Sequence, residues 1–183
     1  MYRSGHIGVA LMFAAVTVGI SLTPTGFMIA FLILATERIP DFDLRTDLLS
    51  HRGFSHTVWF ALFVAVLFGG LAAVVAIGGN AYLARFEQVS FVAELRAVYP
   101  APSYLFVTVA TGTFVGMGSH LVADFLTVGE GKYGVQPLWP VWPNYEVPIQ
   151  LCRADSFVAN FVLLGLGVII TVLTAYIRVV VLG

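Results

Sequence analysis

The stretch Ser21-Leu22-Thr23-Pro24-Thr25-Gly26 interrupts a run from Ile7 to Ala35 that is otherwise almost wholly apolar. Pro24 has no N–H to donate and is at home in the first turn of a helix, and Thr23 before it is a suitable N-cap. The stretch predicts two short helices, His6 to Ser21 and Pro24 to Arg38, joined as a hairpin. Each would be about 21–25 Å long at 1.5 Å per residue, a little short of the ~30 Å hydrocarbon core of a bilayer. The competing reading is one long kinked helix. The two differ in which membrane face receives everything downstream.

Composition makes the bilayer the right solvent to consider. Of the 183 residues 59% are hydrophobic and only 10% are charged, with a mean hydropathy of +0.93. A soluble domain carries about 25% charged residues. The net charge of -1 offers no basic patch for nucleic acid. Cys152 is alone, so no disulfide can form within the chain. The length suits one domain, residues 1–183, folded as an all-α polytopic helical bundle.

Three further spans follow: Val58 to Gly79, Tyr104 to Thr127 and Phe157 to Leu182, which brings the membrane helices to about five. Gly112 and Gly116 are four apart, the spacing that lets membrane helices approach closely, although small-residue abundance explains the pair equally well. Between the third and fourth spans, Leu83, Phe86, Val89, Val92 and Leu95 recur near helical period among charged residues. That pattern suits a helix lying on the bilayer surface.

The hairpin reading has a consequence that chance placement would seldom produce. It sends the chain out and back, so Asp41 and Asp43 emerge on the face where the chain started, together with His6. His51 and His56 lie there before the third span departs, and the fourth span returns His120 and Asp124 to it. All four histidines of the chain and three of its aspartates then share one membrane face. A single kinked helix destroys the coincidence, which favours the hairpin.

Spacing suits chelation. His120 and Asp124 are i,i+4 on one helix face. An extended Asp41-Phe42-Asp43 after Pro40 would point both carboxylates the same way. His51 and His56, five apart, fit one site if His51 is in the loop and Ser55 or His56 opens the third span. Aspartate and histidine together suit zinc, with manganese or iron as alternatives. Seven candidate ligands, His6, Asp41, Asp43, His51, His56, His120 and Asp124, exceed one tetrahedral shell, so two divalent ions sharing a carboxylate are expected. Plainer roles stand beside these. His6 reads equally as an interfacial histidine, Asp41 and Asp43 as helix-end groups, and His120 with Asp124 as a pair locking two helices. Glu37 and Asp47 read as solvated. Ionisable groups within a span are costly and by default functional.

His6, Pro40-Asp41-Phe42-Asp43, His51-Arg52-Gly53-Phe54-Ser55-His56, His120-Leu121-Val122-Ala123-Asp124 and the downstream Gly131 to Pro137 together resemble the LexA-regulated, membrane-bound metal-dependent hydrolases. The resemblance runs from about His6 to Pro137. That family is distantly similar to the zinc-dependent phospholipase C and P1 nuclease superfamily, which also uses His-x-x-x-Asp on one helix. The relation implies phosphoester hydrolysis. The chain has no histidine after Asp124, so two ions rather than a three-metal cluster is the carry-over.

The expected activity is hydrolysis of a phosphoester at the membrane surface, with a lipid head group as substrate and membrane lipid as partner. Asp43 or Asp124 would take the proton from the attacking water, and Arg52, which reads equally as a membrane-side anchor, would grip a phosphate oxygen. Gly129 to Pro148, with Trp139, Trp142 and Tyr145, reads as a lid offering Lys132 or as an aromatic belt. Rival functions are metal or proton transport, and a metal-stabilised protein without catalysis. Transport needs polar groups spread through the membrane depth, whereas here the ligands sit at one end. Arg3, Arg38, Arg45, Arg52, Lys132 and Arg153 on the site face place it in the cytoplasm by the positive-inside rule.

Overall fold

Pro24 does open a second helix. In the computed structural model, which describes residues 1–45, 53–97, 100–128, 135–142 and 151–182, α1 runs Arg3–Ile20 and α2 runs Pro24–Thr36. Thr23 is extended and its side chain accepts from the Gly26 N–H, so the turn is capped as its sequence predicts. The hairpin is followed by two 3₁₀ turns, Pro40–Arg45 and Phe54–His56. Then come α3 (Val58–Ala84), α4 (Ser90–Ala97), α5 (Pro102–Phe125) and α6 (Phe157–Tyr176), which ends in a π-turn at Ile177–Val181. Thr127–Val128 and Cys152–Arg153 pair as two short parallel strands, β1 and β2.

The chain is an all-α membrane bundle. α1, α3, α5 and the α6 segment are long and apolar enough to cross a bilayer. α2, at 13 residues, is only about 20 Å long and is the short arm of the hairpin. α4 is the amphipathic helix expected on the surface, starting later than its periodicity suggested because α3 continues through Ala84. Arg96 ties it down, paired with Glu87 at 2.7 Å and donating to Asn80.

Small residues make the helix contacts. Ala10, Ala14, Ala30 and Ile33 form one buried cluster, and Ala61, Val64 and Met117 a second. The large apolar side chains of α3 and α6, such as Leu71, Val74, Phe157 and Val172, face outward, as lipid solvation allows. α1 crosses α6 where Gly8 meets Gly167, and a Cβ on Gly167 would lie 2.9 Å from the Gly8 Cα. α2 packs on α5 through Gly112 and Gly116. A Cβ on Gly116 would collide with Thr36 Oγ1 and lie 2.7 Å from the Ile33 carbonyl oxygen. The four-residue glycine spacing is therefore a packing device here.

α2 and α5 run parallel and are held together at both ends. Thr25 and Tyr104 hydrogen-bond through their hydroxyls at the hairpin turn. At the other end Asp41 meets His120. Sixteen residues separate Thr25 from Asp41, and sixteen separate Tyr104 from His120. In α5 that is about 24 Å of helix. This matched length sets the α2 end level with the histidine of α5.

Candidate metal centre

Five chain segments deliver polar side chains to one point at the open end of the hairpin. His6 comes from the first turns of α1, Glu37 from the end of α2, and Asp41 and Asp43 from the 3₁₀ turn that follows. Ser55 and His56 come from the second 3₁₀ turn, and His120 and Asp124 from the last turns of α5. All except Asp41 are buried, and His56 and His120 are 0% exposed. Burying so many polar groups together is costly unless they are paired or hold an ion.

Four ligand atoms face one another. His120 Nε2 is 3.4 Å from Asp41 Oδ1 and 3.5 Å from Asp124 Oδ2. His56 Nε2 is 3.7 Å from Asp41 Oδ1 and 3.5 Å from Asp124 Oδ2. The four atoms form a ring in which each imidazole nitrogen lies between two carboxylate oxygens, and ligand atoms of Asp41, His56 and His120, like those of His6, His120 and Asp124, lie within 4.8 Å of one another. Ligand atoms at ~2.0–2.1 Å from a tetrahedral zinc ion stand about 3.3–3.4 Å apart. The spacings match ligands gathered around a small cation and are long for aligned N–H···O bonds. His120 Nε2, fully buried, has no hydrogen-bond partner. The donor set therefore fits a divalent ion, and His56, His120, Asp41 and Asp124 are the side chains that would hold it.

The groups behind these ligands fit as well. His56 Nδ1 is 3.3 Å from Asp43 Oδ2, and Ser55 Oγ donates to the same carboxylate oxygen at 2.8 Å. His120 Nδ1 is 3.7 Å from Glu37 Oε2. Each imidazole thus turns Nε2 toward the centre and Nδ1 toward a carboxylate. That is how metal-ligating histidines are commonly fixed in tautomer and orientation. His6 stacks on His120 with ring centroids 4.0 Å apart, and its Nε2 lies 3.6 Å from Asp124 Oδ1. Asp124 therefore turns Oδ2 toward His56 and His120 and Oδ1 toward His6 and the N-terminal ammonium, 3.7 Å away.

Two expectations are corrected. Asp41 to Asp43 is not extended: Asp41 N–H donates to Arg38 O and Phe42 N–H to Ile39 O, winding the segment into a 3₁₀ turn. At three residues per turn, side chains two apart point in different directions. Asp41 therefore reaches the quartet while Asp43 passes behind His56, so Asp43 is an orienting group rather than a member of the quartet. Glu37, read as solvated, is 2% exposed and stands behind His120. A glutamate at the end of an apolar helix, four residues before Asp41, was the signal available for it. His51, Arg52, Asp47, Lys132 and Tyr145 lie outside the described residues. His6, Asp41, His56, His120 and Asp124 are all brought together.

Asp41 is outside the spans, and its electrostatics are clear. Burial alone would raise its carboxyl, but His120 and His56 face it and hold it well below the usual carboxylate range. It is therefore an anion throughout the physiological range, as a metal ligand must be.

Asp43→Asn should weaken ion binding by about 10–100-fold through loss of the His56 orientation. Zinc titration in detergent with a competing chelator measures this. Unchanged affinity would remove Asp43 from the centre.

A cavity of about 260 Å³ adjoins the centre, with His6, Glu37 and Asp41 in its lining. Val135–Trp142 docks on the start of α3. The Val58 N–H donates to Pro137 O at 2.9 Å and the Trp59 indole to Leu138 O. Phe54, Trp59, Trp139 and Trp142 remain exposed there, a placement suited to the headgroup layer.

No curated protein and no solved structure matches the chain significantly. The chain has four candidate spans and a buried His/Asp cluster at one end, and the family match covers nearly the whole length: the chain belongs to the YdjM inner membrane protein family, whose sequence model matches residues 1–182, and it is an integral inner membrane protein.

Proposed function

We propose that the protein is a metal-dependent hydrolase that cleaves a phosphoester, with a lipid head group as substrate, at the cytoplasmic surface of the membrane. The observation that carries this reading is the quartet of Asp41, His56, His120 and Asp124 beside a cavity at one membrane end. Asp124 Oδ1 and His6 provide a second position, so two ions, zinc before manganese or iron, are the expected complement. Bound ions of this kind supply Lewis acidity and a lowered pKa for water. The chain's own residues do the rest. Asp43 and Glu37 hold the imidazoles in register. Glu37 also lines the cavity without belonging to the quartet, which suits it to take the proton from the attacking water. Asp43, which faces His56 and Ser55, is assigned the orienting role instead. The excess of basic residues on the site face supports cytoplasmic sidedness. Transport draws no comparable support, because the ionisable cluster occupies one end of the bundle.

The test begins with metal counting by mass spectrometry on detergent-purified protein. It continues with phosphoester hydrolysis before chelation, after chelation, and after adding zinc or manganese back. Activity that disappears with the metal and returns with it is expected. Glu37→Gln should lower turnover by about 10²–10⁴-fold even at zinc concentrations that saturate the variant, a loss beyond the weaker ion binding that its place behind His120 also predicts. A folded protein that takes up no zinc or manganese would sink the reading.

A further inference from the structure

The cavity beside the metal centre has a second wall that the proposed chemistry does not use. Arg3, the first residue of α1, and Arg38, just beyond α2, both line it together with Met1 and Tyr2, beside His6, Glu37 and Asp41 of the metal centre. Both arginines are exposed and come from different elements. Two other arginines meet acids, Arg96 pairing with Glu87 and Arg153 with Asp155 at 3.0 Å, and Arg178 donates to the Ile20 carbonyl. Among the described residues Arg3 and Arg38 have no such ion pair. The acids closest to hand face elsewhere, Glu37 toward His120 and Asp41 toward His56 and His120. The N-terminal turn of α1 adds to the wall, because its N-cap, Tyr2, makes no side-chain capping bond. First-turn amides without such a cap attract anions.

From this arrangement we infer that Arg3 and Arg38 form an anion subsite that grips a phosphate-bearing group of the substrate and sets it against the metal centre. The inference rests on the hydrolase reading and adds to it the class of group recognised. A guanidinium presents a planar fork that matches two phosphate oxygens, and two forks from separate elements can hold one phosphate in a fixed orientation. Size agrees. At about 260 Å³ the space is below the ~300–1,000 Å³ of pockets that enclose drug-sized ligands. It takes a headgroup, leaving any acyl chains in the bilayer. Glu37 and Asp41 in the same lining would repel an anion until a cation offsets them. The subsite is therefore expected to work in the metal-loaded protein.

The experiment compares zinc-loaded full-length protein, Arg3→Gln/Arg38→Gln and Arg3→Lys/Arg38→Lys in detergent. Zinc content is counted, and binding of inorganic phosphate is measured by calorimetry. A parallel arm measures binding to phosphatidylcholine nanodiscs with and without phosphatidic acid. The glutamine variant should bind phosphate about tenfold more weakly or worse, with zinc content unchanged and the lysine variant intermediate. Arginine dependence toward free phosphate or toward the phosphatidic acid discs upholds the subsite and identifies the source of its ligand. Dependence toward neither, with zinc still bound, overturns the subsite and leaves the metal centre standing. A wild type that binds no zinc overturns both.

Discussion

His120→Ala should weaken ion binding by on the order of 100-fold or more and abolish hydrolysis, while the helical content of the protein is retained. The expectation exceeds the ~10–100-fold known for outer partners of metal ligands because His120 is proposed as a ligand itself. Its Nε2 makes two of the four close contacts of the quartet, 3.4 Å to Asp41 and 3.5 Å to Asp124. Its ring also stacks on His6 and its Nδ1 faces Glu37. Among the described residues only His56 touches as many members of the cluster. Alanine would leave buried carboxylates facing a void, and they would take up protons to avoid an unpaired charge. The spans themselves stay in the bilayer because lipid solvates their apolar surfaces. Metal counting and circular dichroism on the same sample make the check. An unchanged ion count in the variant would move the centre elsewhere.

Gly116→Leu should act at a distance from the ligands and still damage the centre. Gly116 lies one turn before His120 on α5, and its face meets the Ile33 carbonyl oxygen and the Thr36 hydroxyl of α2. The obstruction on the α2 side includes backbone, so a side chain at 116 must push the helices apart. Overpacking of this kind costs about 1–3 kcal/mol, occasionally more. Because Glu37 and Asp41 follow directly on α2, separating α2 from α5 also pulls two carboxylates away from His120. A lowered unfolding temperature in detergent together with weaker zinc binding is expected. Gly118→Ala is the control, since nothing lies within 4 Å of a Cβ at that position. It should leave both quantities unchanged, and equal losses in the two variants would refute the packing argument.

Much of this was legible in the sequence because the membrane restricts the choices. The spans follow from apolar length, and the hairpin from Thr23 and Pro24, whose capping and first-turn roles are local. The common face of His6, Asp41, His56, His120 and Asp124 follows once the hairpin fixes the direction of each span. The i,i+4 pair His120 and Asp124 needed no tertiary information at all. What failed to show was the division of labour between ligand and supporting carboxylate. Whether Asp41 or Asp43 enters the quartet depends on three-residue winding after Pro40, and extended and 3₁₀ backbones are both compatible with Pro-Asp-Phe-Asp. Glu37 was misread because its burial comes from helices that are distant in sequence. The cavity wall formed by Arg3 and Arg38 was hidden for the same reason, since thirty-four residues of hairpin separate its two halves.

The short arm of that hairpin has a consequence for the surrounding lipid. α2 is about 20 Å long, and the bond between Thr25 and Tyr104 keeps its far end level with the start of α5. Hydrocarbon some 30 Å thick cannot be matched by such an arm, and the hairpin cannot slide along α5 without breaking that bond. Mismatch of this sort is relieved by tilt or by local thinning of the bilayer at a modest cost per ångström. Lipids beside the hairpin are then drawn inward, toward the level at which the histidines and aspartates stand. Where thinning rather than tilt relieves the mismatch, the path from a headgroup to the buried cluster is shortened.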